Sequence, residues 1–76
     1  MKKTVAHLKK GEKAIILDVA TDEVPLKLLE MGCLPGNEVH LLQLAPFADP
    51  MYINVNGSHL AIRKETALHI IVETPT

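Results

Sequence analysis

A twelve-residue segment in the second half of the chain predicts a β-hairpin and also fixes its register. Residues 51–62 read Met-Tyr-Ile-Asn-Val, then Asn-Gly, then Ser-His-Leu-Ala-Ile. Asn-Gly is strongly preferred in a two-residue type I′ turn, because both positions need a positive φ. With that turn, the apolar side chains of both strands share one face, which a shift of one residue would destroy. The predicted cross-strand pairs are Met51–Ile62, Ile53–Leu60 and Val55–Ser58.

The first part of the chain predicts a polar arm followed by one strand. Residues 1–10 are polar and basic, and we expect them to form a short N-terminal arm. The β-branched run at residues 14–19 has the length and composition of a strand. Alternation along this strand leads us to expect Ile15, Leu17 and Val19 on one face.

A short helix is predicted between residues 21 and 32. Thr21-Asp22 is a suitable N-cap, and Gly32 suits the C′ position, where a positive φ is needed. Cys33 then takes the C″ position, whose side chain packs back on the helix at Leu28. We therefore interpret Cys33 as a small buried hydrophobe rather than as a nucleophile or metal ligand. The apolar stripe of the helix is Val24, Leu28 and Met31.

The remaining segments predict two more strands and a loop. Pro35-Gly36 is a type II turn signal, and a strand follows it over residues 38–44. Residues 46–50 form a loop, because neither of its prolines can donate to a sheet. A short helical turn at residues 64–67 precedes a closing strand at residues 68–72.

These elements predict a mainly β protein that is a single domain over residues 1–76. It has about five strands and one short helix inserted after the first strand. An open sheet this small would expose long edges, so we expect it to close into a small barrel. The hydrophobic fraction of 47% is enough for a conventional small core.

Composition excludes several classes of function. Eight basic and nine acidic residues give no positive surface for nucleic acid, and two aromatic residues are too few for a base-stacking platform. Direct membrane insertion is not expected, because no apolar run approaches the roughly 18–20 residues that a membrane span requires. The N-terminal segment also lacks the uninterrupted apolar stretch of a signal peptide, so we expect a cytoplasmic protein.

Neither a catalytic site nor a built metal site is predicted. Ser58 and His59 are neighbours on a strand, so their side chains point to opposite faces and cannot form a nucleophile–base pair. The four histidines lack the spacing of a metal site. His40 and His59 both point outward, and the alternatives for them are solvated side chains or a weak surface site for a divalent metal. We expect no cofactor.

The loop Ala45-Pro46-Phe47-Ala48-Asp49-Pro50 is the most unusual local feature of the sequence. A phenylalanine flanked by two prolines can serve as an exposed anchor for a partner, because a rigid aromatic side chain loses little entropy on binding. The alternative is that Phe47 folds back and covers one end of the barrel.

Several segments of the chain, taken in order, resemble proteins of the FeoA family. Residues 29–39, which contain Gly32 and Pro35-Gly36, resemble the family's glycine- and proline-containing turn after the helix. Residues 45–50 resemble its A-P-x-G-D-P loop, and residues 55–63 resemble its V-x-G-x-x-(L/I)-A-L-R hairpin.

The opening and closing segments also fit, so the resemblance covers about residues 8–73. Two positions depart from the family pattern. The family usually has an aliphatic residue where Cys33 stands, and glycine where Ala48 stands. The second departure predicts a modestly altered loop.

The resemblance implies an SH3-like barrel that works in ferrous iron transport without being an enzyme and without carrying iron itself. It implies a partner, the cytosolic part of a FeoB-type membrane GTPase, whose assembly or nucleotide cycle the protein would influence. We expect a monomer or a weak dimer. The candidate docking residues are apolar or aromatic and adjacent to turns: Met31, Leu34, Phe47 and Tyr52.

The alternative is a stand-alone interaction module. A similar SH3-like unit forms the C-terminal domain of iron-dependent repressors resembling DtxR, where it packs on the other domains and can contribute metal ligands. In that interpretation, the weak divalent-metal site at His40 and His59 would matter. RNA binding by such a barrel is disfavoured by the charge balance and by the aromatic count.

Overall fold

The computed structural model describes residues 1–75, which form six β-strands, two short α-helices and two 3-10 turns. The strands are β1 (Lys2–Thr4), β2 (Lys13–Val19), β3 (Glu38–Leu44), β4 (Met51–Val55), β5 (Ser58–Ile62) and β6 (Ile70–Glu73). The helices are α1 (Leu26–Glu30) and α2 (Lys64–Ala67), and the 3-10 turns span Val5–His7 and Pro46–Ala48. None of these helices is long and apolar enough to cross a membrane.

All six strands belong to one antiparallel sheet with the order β1-β6-β2-β3-β4-β5. The end strands are β1 and β5, and α2, which follows β5, contacts the 3-10 turn that follows β1. The sheet therefore encloses a single core, and the prediction of a mainly β small barrel is confirmed, with six strands instead of about five. The largest fully buried side chains are Ile16, Leu41, Met51, Ile53, Ile62, Ile70, Val5, Val39, Val55, Val72 and Cys33.

The central hairpin has the predicted turn and register. Asn56 and Gly57 both have a positive φ, 53° and 82°, as a type I′ turn requires. The cross-strand pairs Met51–Ile62, Ile53–Leu60 and Val55–Ser58 all form as predicted. Turn chemistry and the apolar pattern favour the same register, so this part of the fold follows from local sequence.

The end of α1 also matches the prediction. Cys33 N–H donates to the Leu28 carbonyl oxygen at 3.0 Å, and Gly32 N–H donates to that of Leu29 at 3.1 Å. With Gly32 at a φ of 113°, these two bonds form a Schellman motif. The motif turns the chain so that the Cys33 side chain enters the core, where it is fully buried.

The predicted start of this helix is wrong. Helix α1 begins at Leu26, its N-cap is Pro25, and no side chain caps it. Thr21-Asp22 instead lies in a separate turn, in which Val24 N–H donates to the Ala20 carbonyl oxygen at 3.1 Å. The physical reason is that a proline disfavours the helical conformation of the residue before it, here Val24, so the helix begins after Pro25.

Residues 1–10, predicted as a short N-terminal arm, instead contain strand β1 and a 3-10 turn, which corrects a second prediction. Strand β1 pairs with β6 along its whole length. Lys2 lies opposite Glu73, and Lys3 lies opposite Val72. Val5 and Leu8 are buried in the core. The Lys3 ammonium also lies 3.1 Å from the Glu12 carboxylate, which ties β1 to the chain before β2.

The predicted face of β2 is also corrected. A β-bulge between Ile16 and Asp18 shifts the pairing of β2 with β6 by one residue. A bulge reverses the inward and outward alternation of the residues beyond it. Ile16 and Val19 are therefore buried, while Ile15 and Leu17 remain 42% and 37% exposed.

Candidate interaction surfaces

Residues 45–50, hereafter the Phe47 loop, hold an aromatic side chain away from the protein. Ala45 N–H donates to the Pro50 carbonyl oxygen at 3.1 Å, and Ala48 N–H donates to that of Ala45 at 2.8 Å. The Asp49–Pro50 peptide bond is cis. Phe47 is fully exposed, at 101% of its reference surface, so the interpretation that it covers the barrel is wrong.

Two consecutive residues of this loop adopt left-handed backbone conformations. Phe47 has a φ of 66° and Ala48 has a φ of 63°. Such a conformation costs a residue other than glycine about 1–2 kcal/mol. Glycine would adopt the positive φ of Ala48 without this cost. The loop therefore combines an unfavourable backbone at two residues with an unburied aromatic ring.

Asp49 fixes the loop to the start of α2. Its Oδ1 accepts a hydrogen bond from the Lys64 backbone N–H at 3.0 Å, and its Oδ2 lies 3.8 Å from the Arg63 guanidinium. Arg63 and Lys64 are both exposed. The surface beside Phe47 therefore carries two cationic side chains and one carboxylate that is already engaged.

The four predicted docking residues do not form a single patch. Tyr52 is 41% exposed and lies near the loop, at the start of β4 between Gln43 and Ala61. Leu34, which is 45% exposed, follows the Schellman motif, whereas Met31 is half-buried against the core. The structure separates the four into two groups.

The two groups lie near opposite ends of β4. A Cβ built on Gly32 would come 2.9 Å from the Asn56 Cβ, which places the end of α1 at the tip of the hairpin. Tyr52 lies three residues from Val55, or about 10 Å along the strand. One group is therefore Phe47 with Tyr52, and the other is Leu34 with the partly covered Met31.

His40 and His59 lie in one row on the outer face of the sheet. His40 pairs with Asn54, and Asn54 pairs with His59, so the two imidazoles lie in one outward row with a strand between them. Lys13 pairs with His40 at the end of this row, which places a cation beside it. Within residues 1–75, no three His, Cys, Asp or Glu side chains come together as metal ligands.

Cys33 lacks the surroundings of a reactive thiol. It is fully buried, and this burial raises the pKa of the thiol. A raised pKa lowers the thiolate fraction at neutral pH, and only the thiolate is nucleophilic or binds metal well.

Sequence reasoning missed an apolar groove on the outer face of β2. The groove has a volume of about 480 Å³, and the exposed side chains of Met1, Ile15 and Leu17 form its apolar lining. Glu38 on β3 and Glu73 on β6 pair with Ile15 from its two sides and also line the groove. The unbroken apolar run at residues 14–17 was the available signal, because a strand with apolar residues on both faces must expose some of them unless another layer covers it.

The geometry defines a class of protein, a small antiparallel barrel that exposes apolar side chains on its turns and along a groove. Such a surface is suited to binding. Comparison with known sequences gives the family. The pattern of the FeoA domain family matches residues 3–74, nearly the whole chain. The protein belongs to the FeoA domain family.

Two relatives of this chain have names that refer to iron transport. A fusion of Fe(2+) transport protein A and the Fe(2+) transporter FeoB from Porphyromonas gingivalis (strain ATCC BAA-308 / W83) is 34% identical over 70 residues. That match covers 91% of this chain but 8% of the fusion protein. Iron(II) transport protein A from Clostridium thermocellum is 32% identical, with a TM-score of 0.82 over 95% of this chain and 45% of that one.

Other solved structures support the SH3-like fold. FeoA from Stenotrophomonas maltophilia, described as a procaryotic SH3 domain protein and solved with zinc, is 25% identical. Its TM-score is 0.78 over 92% of this chain and 88% of that chain. The IdeR protein of T. acidophilum shares the fold at 21% identity, with a TM-score of 0.80 over 96% of this chain and 34% of that one. The similarity predicted between this barrel and a domain of iron-dependent repressors is thus confirmed at the level of the fold.

Proposed function

We propose that this protein is a non-enzymatic, cytoplasmic accessory protein that docks on the cytosolic part of a FeoB-type membrane GTPase. Docking influences the assembly of the transporter or its nucleotide cycle. The protein acts by binding and does not carry iron. The proposed contact residues are Met31, Leu34, Phe47 and Tyr52.

The fully exposed Phe47 is the observation that carries this proposal. A phenylalanine in water leaves a large apolar area unburied, and aromatic residues in rigid surroundings are typical centres of protein interfaces. The loop is already ordered by its own hydrogen bonds and by Asp49, so binding costs little additional entropy.

The fusion relative supports a FeoB transporter as the partner. In that protein, one chain contains both the part similar to this protein and a FeoB transporter. Covalent linkage holds two modules at a high effective concentration. A contact that is weak between separate chains is therefore favoured when the two modules share one chain. A weak contact in turn fits a small surface formed by a few side chains.

A titration monitored by NMR tests the proposal. Isotope-labelled protein is titrated with the isolated cytosolic GTP-binding domain of FeoB from the same organism, with and without a GTP analogue. We expect localised shift changes around residues 31–36 and 46–52. A dependence of these changes on the nucleotide would indicate an effect on the nucleotide cycle.

Alanine variants then locate the contact. Because Phe47 with Tyr52 and Leu34 with Met31 form separate groups, replacing one group at a time shows which of them meets the partner. Leu68→Ala is a matched control, since Leu68 is a 46% exposed leucine outside both groups. Unchanged binding by alanine variants at all four proposed positions, each still folded, would contradict the proposal.

A further inference from the structure

Strand β5 leaves backbone groups unpaired along one side. It is an end strand of the sheet and pairs with β4. Val55 and Ser58 flank the two-residue turn and exchange backbone hydrogen bonds, so every second residue of β5 from Ser58 directs its N–H and C=O groups to β4. The same groups of His59 and Ala61 therefore point away from the sheet. Within residues 1–75, no hydrogen bond reaches these four groups.

The two end strands of the sheet differ in how they are protected against further pairing. Natural edge strands are commonly blocked by lysines, prolines, bulges or very short length. Strand β1 has three residues, two of which are Lys2 and Lys3. Strand β5 has five residues, with no proline, Asp, Glu, Lys or Arg among them, and its register with β4 is regular. The free edge of β5 thus lacks the devices that prevent the addition of a strand.

We propose that the free edge of β5 pairs with the same edge of a second copy, so that the protein forms a two-fold symmetric dimer. The two strands run antiparallel, and Leu60 lies opposite Leu60 of the second copy. This proposal goes beyond docking on a transporter, because it uses backbone groups that docking does not require.

The pattern of free backbone groups determines this register. With Leu60 at the two-fold axis, His59 of each copy lies opposite Ala61 of the other, and each such pair exchanges two hydrogen bonds. All four free groups of each strand are then used. A shift of one residue would place them opposite residues whose groups face β4. A shift of two residues would place some of them opposite Gly57 in the turn, or opposite Arg63, whose carbonyl oxygen already accepts hydrogen bonds from α2.

The side chains of β5 suit a second copy in this register. On the outer face, each exposed His59 lies beside the small side chain of Ala61, which leaves room for the imidazole ring. On the inner face, Leu60 meets Leu60, an apolar side chain that is 8% exposed in the single copy. A two-fold interface requires a surface that is complementary to itself, and β5 meets this requirement.

Charge also favours a second copy over other extended segments. Strand β5 has no acidic or basic side chain, so a charged segment of another protein would gain no attraction along it. The cation that follows the strand, Arg63, lies three residues beyond Leu60. The Arg63 side chains of the two copies are therefore at opposite ends of the paired strands, about 20 Å apart. Each lies opposite the uncharged Asn56-Gly57 turn of the second copy.

We expect a weak dimer. Pairing of two five-residue strands makes a small contact compared with the about 1,200–2,000 Å² that a stable complex buries. The expected Kd is therefore about 0.1–1 mM. Because the two-fold contact uses the same edge on both copies, it closes, and assembly stops at the dimer.

A dilution series of isotope-labelled protein, from about 1 mM to about 20 µM, tests the contact by NMR. The two His59 side chains are diagonal neighbours in the dimer, about 7–8 Å apart, so the series is recorded at pH 8, where imidazole is neutral. We expect concentration-dependent amide shifts centred on His59 and Ala61, and slower solvent exchange of these two amide protons at high concentration. Sedimentation velocity should fit a monomer–dimer equilibrium without larger species.

A proline variant tests the role of the backbone. Ala61→Pro removes the free N–H of residue 61 without removing a hydrogen bond to β4, and proline is accepted on edge strands at such positions. This variant should weaken association at least about tenfold, since two of the four hydrogen bonds are lost. Ala61→Ser is the matched control, because it keeps the N–H and a small side chain, and its association should be unchanged. Circular dichroism checks that both variants are folded.

Three results would overturn the proposal: unmodified protein that stays monomeric at 1 mM, concentration-dependent shifts that lie away from β5, or a folded Ala61→Pro variant that associates as the unmodified protein does. If Ala61→Pro does not fold, the shifts and amide exchange of the unmodified protein decide by themselves.

The dilution series contains no transporter, so its result is separate from that of the docking titration. Shifts at residues 58–62 on addition of the FeoB domain, with none on dilution, would mean that this edge accepts a strand of the transporter, and would overturn self-pairing. A protein that dimerises through β5 but does not bind the FeoB domain would remove the proposed docking and keep this inference.

Discussion

Gly32 at the end of α1 lies against Asn56 in the turn of the central hairpin. A Cβ at Gly32 would come 2.9 Å from the Asn56 Cβ and 3.5 Å from a methyl carbon of Val55. The positive φ of Gly32 ends the helix, and the absence of a side chain lets the helix end approach the hairpin. One glycine thus meets a local and a tertiary requirement at the same time.

Replacing Gly32 with alanine should destabilise the protein more than the same change at Gly36. Both glycines have a positive φ, 113° and 96°, but nothing lies within 4 Å of a Cβ at Gly36. Gly36→Ala should cost about 1–2 kcal/mol for the backbone conformation alone. Gly32→Ala should cost about 1–3 kcal/mol more, for overpacking against the hairpin. Urea unfolding measures both, and equal losses would show that the close approach is unimportant.

Phe47→Ala should change the free energy of unfolding by less than about 0.5 kcal/mol, because the ring is fully exposed. Met51→Ala, four residues further on, should cost about 2–5 kcal/mol, since Met51 is buried in the core. Thermal unfolding with circular dichroism gives the comparison. A large loss from Phe47→Ala would mean that the ring packs on the protein in solution and cannot act as a contact residue.

Leu8→Ala should cost about 2–5 kcal/mol, since Leu8 is 5% exposed and belongs to the core. Lys10→Ala, two residues along, should change stability by less than about 0.5 kcal/mol because Lys10 is exposed. Urea unfolding of both variants distinguishes an N-terminal segment that completes the barrel from a solvated arm. Similar small effects at both positions would support the arm.

Cys33 should make stability fall at alkaline pH. Burial raises the pKa of its thiol in the folded protein. The thiol's contribution to the free energy of unfolding is fully present below the pKa of the thiol in the unfolded chain, about 8.5. This contribution is lost as pH rises from there towards the pKa in the folded protein. Between the two values, the free energy of unfolding decreases with pH, because the unfolded state has lost more of the thiol proton than the folded state. Urea unfolding from pH 7 to 10 should show this decrease relative to Cys33→Ala, and identical curves for the two proteins would contradict it.

Glu12 should contribute to acid sensitivity. The backbone N–H of Lys9 and the Lys3 ammonium bind its carboxylate and lower its pKa. The contribution of Glu12 to the free energy of unfolding is present above the pKa that its carboxyl group has in the unfolded chain. It is lost as pH falls through the pKa of the group in the folded protein. Glu12→Gln should therefore lower the Tm more at pH 7 than at pH 3. The exposed Glu30→Gln is the control, and an equal change in Tm at both pH values for Glu12→Gln would argue against the ion pair.

Much of the fold could be predicted from the sequence where short-range chemistry and the apolar pattern agree. Asn56-Gly57 and the alternation around it fix the hairpin, and Gly32 with Cys33 fixes the end of α1. The error at Thr21-Asp22 arose where two local signals competed, because a good cap was followed by a proline that prevents an early helix start.

The candidate sites were harder to predict than the fold. The proline-flanked loop made Phe47 a candidate contact residue, but only the structure shows that its ring is fully exposed. The four proposed contact residues fall into two groups because the turns beside them, after α1 and between β3 and β4, lie near opposite ends of β4. Adjacency to a turn therefore does not establish that residues are adjacent to one another.

The sequence by itself determined the local elements of this protein: the hairpin register, the helix end and most strands, because these depend on interactions between residues close in the chain. The tertiary structure decided the roles of β1, the bulge in β2 and the groove. Pairing of β1 with β6 joins residues about 70 positions apart, which no local pattern encodes. Ile15 and Leu17 alternate outward from the buried Ala14 and Ile16, and the bulge in the pairing of β2 with β6 turns Val19 inward, away from their face.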